Sequence, residues 1–272
     1  MSHRLCSHVR DMLPRYLCGN LADKDGIREH LAECSSCRDR WNRYRWEAAS
    51  SSTAYTELRT FLGEDFVPYL DSSATLAEDW REQGPPDAEG LAQFFRQSAA
   101  YLYNLVIWQA SGNRPDYAAA GIPLLDVARA RTVVDFGCGV GNDTLPLLDA
   151  GFDVTACDYD SPSTDFLRWR LRRRGQDGIP VVEPAQTYGM PCPDALWIID
   201  TLDHLPDIEV ALSHLLAGVR VVVCEDLAVR RGVTRKGFHR SLDPDEVARI
   251  FERHGLLPAS RDPASPVMGW LR

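Results

Sequence analysis

The segment 132–158 constrains the fold of this chain more than any other part of the sequence. It begins with an apolar, β-branched run that ends at Asp135, continues through three glycines at alternate positions, and closes with a second apolar run that ends at Asp158. This order predicts a strand, a glycine loop, a helix, a second strand and an acid, which is half of a nucleotide-binding α/β unit. An acid at the tip of the second strand can accept hydrogen bonds from both hydroxyls of a ribose.

The spacing of the three glycines narrows the class of ligand. They follow one another as G-x-G-x-G, at Gly137, Gly139 and Gly141, and they let the backbone approach a ligand closely. A dinucleotide fingerprint is G-x-G-x-x-G, and Asn142 occupies the place of its third glycine. No Gly-Lys-Ser/Thr follows, which argues against a P-loop. Asp135 adds a negative charge that suits a cationic ligand better than a pyrophosphate.

The acid before the glycines and the acid after them complete a longer pattern. With strand patterning on both sides, D-x-G-x-G-x-G resembles the class I S-adenosylmethionine-dependent methyltransferases, from about Leu91 to the C-terminus. The resemblance implies an α/β fold with a doubly wound, mostly parallel seven-stranded sheet whose last strand is antiparallel. It also implies that Asp135 and the glycines line the amino-acid half of the cofactor, that Asp158 accepts the ribose hydroxyls and that Tyr159 covers the adenine.

Strand and helix signals alternate along the rest of this region. A helix with an aromatic-rich face is predicted over Leu91–Trp108, and a late helix starts near Asp243 and ends at Gly255. We expect five parallel strands at 132–135, 153–157, 179–183, 195–199 and 219–224, and two further strands at 256–260 and 266–271.

The segment after the fourth strand carries candidate chemistry for a methyl acceptor. The strand ends in Asp200 and continues as Thr-Leu-Asp-His-Leu-Pro-Asp, which resembles the strand-end acid and following loop of the family. The resemblance implies that Asp200 lies near the methionine portion or the methyl group, in cofactor binding and catalysis, and that His204 faces the acceptor. Because imidazole titrates near neutral pH, His204 is a candidate general base or substrate anchor; the alternative is a histidine that shapes the turn.

Further substrate candidates lie before the first strand and after the fifth. Aromatic faces can stabilise a sulfonium or a cationic acceptor, which makes Tyr101, Tyr103 and Trp108 candidates. The alternative is packing on the sheet, and we expect at least one of the three in the core and at least one at the substrate. His239 is a candidate on the acceptor side, with a surface position as its alternative. Glu183, at the third strand, is the nearest candidate for the adenine amino group.

A second motif lies near the N-terminus, where the spacing is H-x-x-x-C-x-x-C, at His30, Cys34 and Cys37. Offsets of i, i+4 and i+7 predict that all three side chains lie on one face of a helix, within reach of one ion. Thiolate and imidazole are the ligands that zinc prefers in tetrahedral geometry. Cys6 is the best candidate for the fourth ligand, because it precedes a helical segment that can fold back as a hairpin. The alternatives for that position are His3 and Cys18.

The whole pattern, Cys-x23-His-x3-Cys-x2-Cys, resembles the zinc-binding domain of anti-sigma factors. In that family such units bind partner proteins, and some respond to oxidation. Four protein ligands would make a closed, structural site. We therefore expect a structural cap or a self-association surface, with partner binding or a redox response as the alternative.

These motifs divide the 272 residues into three parts: a helical zinc-binding domain at 1–45, a linker and connecting helix at 46–90, and a methyltransferase domain at 91–272. The net charge of −9 argues against a nucleic-acid partner. No apolar run approaches the ~20 residues of a membrane helix, and the N-terminus lacks a signal-peptide core. We therefore expect a cytoplasmic protein whose eight cysteines are thiols or metal ligands.

The leading hypothesis is a methyltransferase that uses S-adenosylmethionine to methylate an O or N atom of a small molecule, as in natural-product tailoring, and that also binds Zn²⁺. One alternative is a zinc-thiolate regulator that binds a protein partner and uses the cofactor domain as a sensor. Another is a non-methylating enzyme that releases methylthioadenosine from the same cofactor.

Overall fold

Seven strands form one sheet in the computed structural model, which describes residues 3–17, 25–83, 87–227, 239–240, 242–259 and 264–272. The strands are β1 (Thr132–Phe136), β2 (Asp153–Cys157), β3 (Val181–Val182), β4 (Ala195–Ile198), β5 (Val221–Glu225), β6 (Leu257–Pro258) and β7 (Val267–Leu271). Their order is β3-β2-β1-β4-β5-β7-β6, and β7 runs in the direction opposite to the other six strands. The predicted fold class is confirmed, including the antiparallel last strand.

Helices precede the sheet and alternate with its strands. They are α1 (His3–Leu17), α2 (Asp25–Glu33), α3 (Ser35–Ala49), α4 (Thr53–Leu62), α5 (Ser72–Gln83), α6 (Ala88–Gln97), α7 (Ala99–Ala110), α8 (Tyr117–Val127), α9 (Thr144–Asp149), α10 (Pro162–Arg173), α11 (Ile208–Leu215) and α12 (Pro244–Arg253). Among the described helices, none has both the length and the hydrophobicity that crossing a bilayer requires.

Contacts between residues group the chain into two compact units. The first comprises Met1–Glu78 with Ala99–Pro115, and the second comprises Asp79–Ser98 with Asp116–Arg272. These limits differ from the domains predicted from the sequence, because α7 packs against α3 and α4 and so joins the first unit. The predicted linker contains the end of α3, all of α4 and α5, and the start of α6.

The helix predicted over Leu91–Trp108 is two helices, so this prediction is wrong. Helix α6 ends at Gln97, and the next residue, Ser98, has an extended backbone with φ −76° and ψ 104°. A residue with these angles cannot continue the ladder of i to i−4 hydrogen bonds, and α7 starts anew at Ala99. The apolar pattern of the sequence continues through Ser98, so it does not indicate that the helix breaks there.

Helix α8 packs on the sheet through a glycine. A Cβ added to Gly121 would lie 2.5 Å from the Trp197 ring and 2.8 Å from Val223, and both of these side chains are fully buried. The absence of a side chain therefore sets how closely α8 approaches β4 and β5.

We expect Gly121→Ala to lower the free energy of unfolding by about 1–2 kcal/mol, since a methyl group there overpacks the core. Gly178→Ala is the matched control, because a Cβ at Gly178 would meet no atom within 4 Å. Urea denaturation followed by tryptophan fluorescence measures both variants. Equal stability of Gly121→Ala and the wild type would mean that α8 can shift away from the sheet at no cost.

Candidate functional site

The glycine loop follows β1 directly, and all three of its glycines have left-handed backbone angles. Their φ values are +84° for Gly137, +51° for Gly139 and +79° for Gly141, in the region that favours glycine. A Cβ on Gly137 would overlap the Thr201 side chain, and one on Gly141 would overlap Leu167. The loop therefore needs glycine both for its conformation and for the space that it occupies.

Asp135 lies near the end of β1 and is 3% exposed. The hydroxyl of Thr144, the first residue of α9, donates a hydrogen bond of 2.5 Å to its Oδ2. The buried carboxylate thus ties the strand before the glycine loop to the helix after it. Its contact with the cofactor stays a prediction.

Asp158 follows β2 and lies beside the same loop, because β1 and β2 are parallel and pair Phe136 with Cys157. Its Oδ2 accepts the N–H of Gly139 at 2.8 Å, and its Oδ1 accepts the N–H of Tyr159 at 2.7 Å. Burial raises the pKa of Asp158 to about 6, while the two N–H groups act in the opposite direction. The structure therefore brings Asp158, Tyr159 and the glycine loop together as the sequence predicts.

Glu183 is bound by an arginine that the sequence analysis missed. Arg96, on α6, donates to both of its carboxylate oxygens, with an Nη2–Oε2 distance of 3.0 Å, and lowers its pKa. The N–H of Asp160 adds a third hydrogen bond to this carboxylate. The guanidinium of Arg96 also lies 4.9 Å from the centre of the Tyr159 ring. Glu183 therefore fixes α6 against the segment after β2, and Arg96 supports the ring predicted to cover the adenine.

Asp200 is the second residue after the end of β4 and has an unusual backbone. Its φ is +53°, a region in which aspartate is one of the few tolerated residues with a Cβ. Its N–H donates a 3.0 Å hydrogen bond to Oε2 of Glu225, which is 1% exposed at the end of β5. Backbone conformations of this kind cluster at functional sites.

The predicted acceptor-side histidines meet around a buried acid, Asp203. His204 ends a 3₁₀ turn at Leu202–His204, and its Nε2 lies 3.9 Å from Oδ1 of Asp203. His239 lies after β5, and its Nδ1 is 2.8 Å from Oδ2 of Asp203. The two imidazole centres are 4.6 Å apart, and Phe95 packs with its ring nearly perpendicular to that of His204 at 4.9 Å. Asp203 directly precedes His204, but nothing in the sequence spacing links it to His239.

The three aromatic candidates lie on α7, in the first compact unit, whereas the other candidates of the methyl-transfer site lie in the second. Tyr103 is 4% exposed, accepts the N–H of Val67 at 2.7 Å and packs against Trp46 and Phe66. It is therefore a core residue, as one of the three was expected to be. Contact of Tyr101 and Trp108 with the acceptor stays a prediction.

The four predicted metal ligands converge in the first compact unit. The ligand atoms of Cys6, His30, Cys34 and Cys37 all lie within 4.8 Å of one another. The Sγ atoms of Cys6 and Cys34 are 3.8 Å apart, which is about the edge of a tetrahedron with zinc–sulfur bonds of about 2.3 Å. His30 is 4% exposed, and neither ring nitrogen has a hydrogen-bond partner among the described residues. The ligand set therefore fits zinc; Cys18 and the side chain of His3, the alternative ligands, lie outside what the structure describes.

The prediction that His30, Cys34 and Cys37 lie on one face of a single helix is wrong. Helix α2 ends at Glu33, and Cys34 has non-helical angles, with φ −106° and ψ 100°, before α3 begins. The break turns the Cys34 sulfur toward the N–H of Cys37, and this hydrogen bond lowers the pKa of Cys34. A lowered pKa favours the thiolate, which is the form that binds metal.

Two protein families match this chain. Residues 134–220 match a family described as "Methyltransferase domain", and residues 6–38 match one described as "Putative zinc-finger". The first match contains the glycine loop and the segment after β4, and the second contains all four candidate zinc ligands. The candidate zinc site and the candidate cofactor loop therefore lie within matched regions, whereas His239 and the aromatic residues of α7 lie outside them.

Similar proteins agree with these matches. Glycine N-methyltransferase of Homo sapiens is 33% identical over 88 residues, which are 32% of this chain and 29% of that enzyme, and the Oryctolagus cuniculus enzyme matches equally. The chain thus spans less than a third of these relatives. The structure of the pyocyanin biosynthetic protein PhzM superposes with a TM-score of 0.51, at 20% identity, over 82% of this chain and 74% of that chain, and shares its fold. This chain therefore contains a region similar to methyltransferase domains, residues 134–220, and an N-terminal region similar to zinc fingers, residues 6–38.

Proposed function

We propose that the second compact unit binds S-adenosylmethionine and transfers its methyl group to an O or N atom of a small-molecule acceptor. One observation carries this proposal: a loop of three left-handed glycines lies between Asp135 and Asp158, at the carboxyl ends of neighbouring parallel strands. Open α/β sheets bind their ligands at that edge. The family match over residues 134–220 supports the same conclusion.

The cofactor is expected to lie along the carboxyl ends of β1, β2 and β4. Asp158, which accepts the N–H of Gly139 in the glycine loop, is proposed to accept the ribose hydroxyls, and the Tyr159 ring, which Arg96 contacts, is proposed to cover the adenine. Asp135 and Asp200 bring negative charge toward the half of the ligand that carries the sulfonium and the amino group. Opposite charges in a partly buried site attract more strongly than they do in water.

Methyl transfer places simple demands on the protein. When bound, S-adenosylmethionine would supply an electrophilic methyl group to an acceptor atom opposite the sulfur, with S-adenosylhomocysteine as the leaving group. The protein must hold the acceptor behind that methyl group and exclude water. An O–H or N–H acceptor must also lose a proton, and His204 is proposed as the base or the anchor on this side, with Asp200 beside the reacting methyl. His239 is proposed to contact the same acceptor.

Native mass spectrometry with and without S-adenosylmethionine is the direct test of cofactor binding. We expect one S-adenosylmethionine per chain, in protein that also carries the zinc of the first compact unit. Turnover to S-adenosylhomocysteine should follow when small alcohols, phenols, amines and natural-product scaffolds are screened as acceptors. A protein that binds neither S-adenosylmethionine nor S-adenosylhomocysteine would contradict the proposal. Release of methylthioadenosine would instead identify displacement at the aminobutyryl carbon.

A further inference from the structure

Asp203, His204 and His239 form a second group of side chains with the chemistry of metal ligands. One ligand atom from each lies within 4.8 Å of those of the other two, and all three belong to the second compact unit. We propose that this group, the Asp203 cluster, binds a divalent first-row transition-metal ion. This ion would be additional to the zinc held by the cysteines of the first unit.

The shorter distance within the cluster is near that between adjacent ligand atoms on one ion, and the longer distance is near that between opposite ligand atoms. His239 Nδ1 and Asp203 Oδ2 are 2.8 Å apart, and His204 Nε2 and Asp203 Oδ1 are 3.9 Å apart. Metal bonds of about 2.0–2.2 Å separate adjacent ligand atoms by about 2.8–3.6 Å and opposite ones by about 4 Å. Two imidazoles and one carboxylate are also the ligand set of known catalytic zinc sites and of non-haem iron sites.

Contacts outside the ligand atoms hold the cluster in place. The N–H of Arg240 donates to the Asp203 carbonyl at 2.8 Å, and Nη1 of Arg240 donates to the Leu205 carbonyl at 3.0 Å. These bonds join the segment that carries His239 to the turn that carries the other two ligands. Phe95 packs against the His204 ring and restricts its rotation. The ligands are therefore positioned by backbone and ring contacts, as the ligands of a metal site need to be.

The solvent exposure of the side chains in the cluster increases from Asp203 to His239. The Asp203 side chain is 1% exposed, that of His204 12% and that of His239 30%. A buried carboxylate flanked by two imidazoles therefore presents its ligand atoms to a common position. The open side, near His239, would leave a coordination position for an exogenous ligand, and three protein ligands with one open position are typical of catalytic metal sites.

This position coincides with the edge of the sheet where the acceptor is expected, so a role for the metal rests on the proposed methyl transfer. An acceptor oxygen bound to the ion would replace a metal-bound water, and its hydroxyl proton would pass to solvent more readily because the ion lowers its pKa. His204 and His239 would then act as metal ligands, so that of the two roles proposed for His204 above, base or anchor, it would keep only that of an anchor acting through the ion.

Metal content tests the proposal without any knowledge of the acceptor. The full chain is incubated with zinc, passed through gel filtration and analysed for metal by mass spectrometry. We expect two zinc ions per chain for the wild type, one for His239→Asn and one for Asp203→Asn. His214→Asn, which removes an exposed histidine outside the cluster, should retain two. Cys34→Ser should lose the other ion and retain that of the Asp203 cluster.

Cobalt substitution assigns each ion to its site. The thiolate site should give intense sulfur-to-cobalt charge-transfer absorption that disappears in Cys34→Ser and is unchanged in His239→Asn. The cluster should add only weak ligand-field bands, which His239→Asn removes.

A wild type that retains one zinc after loading would overturn the proposal, whether or not the variants fold, and would identify the cluster as a hydrogen-bonded Asp–His pair. Two zinc ions in His239→Asn would also overturn it. Two ions in a wild type that does not bind S-adenosylmethionine would contradict the proposed methyl transfer and leave the metal site standing.

Discussion

Replacing Cys34 with serine is expected to release zinc from the first compact unit and to unfold the helices around it. The hydrophobic core of α1, α2 and α3 is small, with five buried residues at its centre: Val9, Leu13, Ile27, Leu31 and Cys37. A unit of this size depends on bound metal, which in small zinc domains supplies folding free energy on the order of 10 kcal/mol. A serine hydroxyl stays protonated and is a poor zinc ligand, so three ligands would remain in a site built for four.

Zinc content by mass spectrometry and helix content by circular dichroism measure the two expected losses. Cys192→Ser is the matched control, because Cys192 is exposed and lies outside the four ligands. We expect S-adenosylmethionine affinity to change little in Cys34→Ser, since every candidate cofactor residue lies in the second unit. Full zinc retention would contradict the ligand assignment, and a collapse of cofactor affinity would contradict the independence of the two units.

Asp158→Ala is expected to weaken S-adenosylmethionine binding by roughly 1–3 kcal/mol, because the ribose hydroxyls lose their acceptor. The variant also frees the N–H groups of Gly139 and Tyr159, which Asp158 now binds, so the loop itself loses support. Isothermal titration calorimetry measures the change. Asp165→Ala, an exposed acid on α10, is the control and should bind the cofactor like the wild type. Unchanged affinity in Asp158→Ala would mean that the cofactor ribose does not bind to Asp158.

The raised pKa of Asp158 predicts a dependence of affinity on pH. The carboxylate loses its charge as the pH falls through about 6, so the dissociation constant for S-adenosylmethionine should rise between pH 7.5 and pH 5.5. In Asp158→Ala this part of the pH dependence should disappear. A wild-type dissociation constant that stays the same over this range would show that Asp158 does not contribute its charge to binding.

The same pKa has the opposite consequence for stability. In the folded protein the pKa of Asp158 is about 6, above the 3.8 of an aspartate in an unfolded chain. The contribution of Asp158 to the free energy of unfolding is therefore full below about pH 4 and is lost as the pH rises through about 6. The difference in stability between the wild type and Asp158→Ala should accordingly be larger at pH 4.5 than at pH 7.5, which urea denaturation at the two pH values measures.

Strand limits could be predicted well in the centre of the sheet and less well at its edges. β1 and β2 lie within one residue of their predicted limits, because both are buried between neighbours and have continuous apolar runs. β3 and β6 contain only two paired residues each, although five were expected. Both are edge strands that pair on one side only, so fewer of their residues are held in regular hydrogen bonding than their patterns suggest.

The cofactor half of the candidate site could be predicted because it is local in the sequence. The glycine loop and Asp158 belong to one strand–helix–strand unit, whose geometry follows from the pattern itself. The pairs Arg96–Glu183 and Asp203–His239 depend instead on which segments the fold brings together. Their partners are 87 and 36 residues apart, and no periodicity connects positions at such separations.

The space beside Gly137 makes two distant positions depend on each other. Any side chain at 137 would occupy the volume of the Thr201 side chain, and the positive φ of Gly137 disfavours a side chain there in any case. Position 137 is already glycine, so it cannot give up space to a larger residue at 201. Thr201 begins the segment that leads to Asp203 and His204, and its own hydroxyl is fixed to the carbonyl of Ile199. The cofactor loop therefore limits the size of the side chain at 201 when the acceptor side is changed for a new substrate. Libraries that randomise residues 201–205 should keep position 201 no larger than threonine.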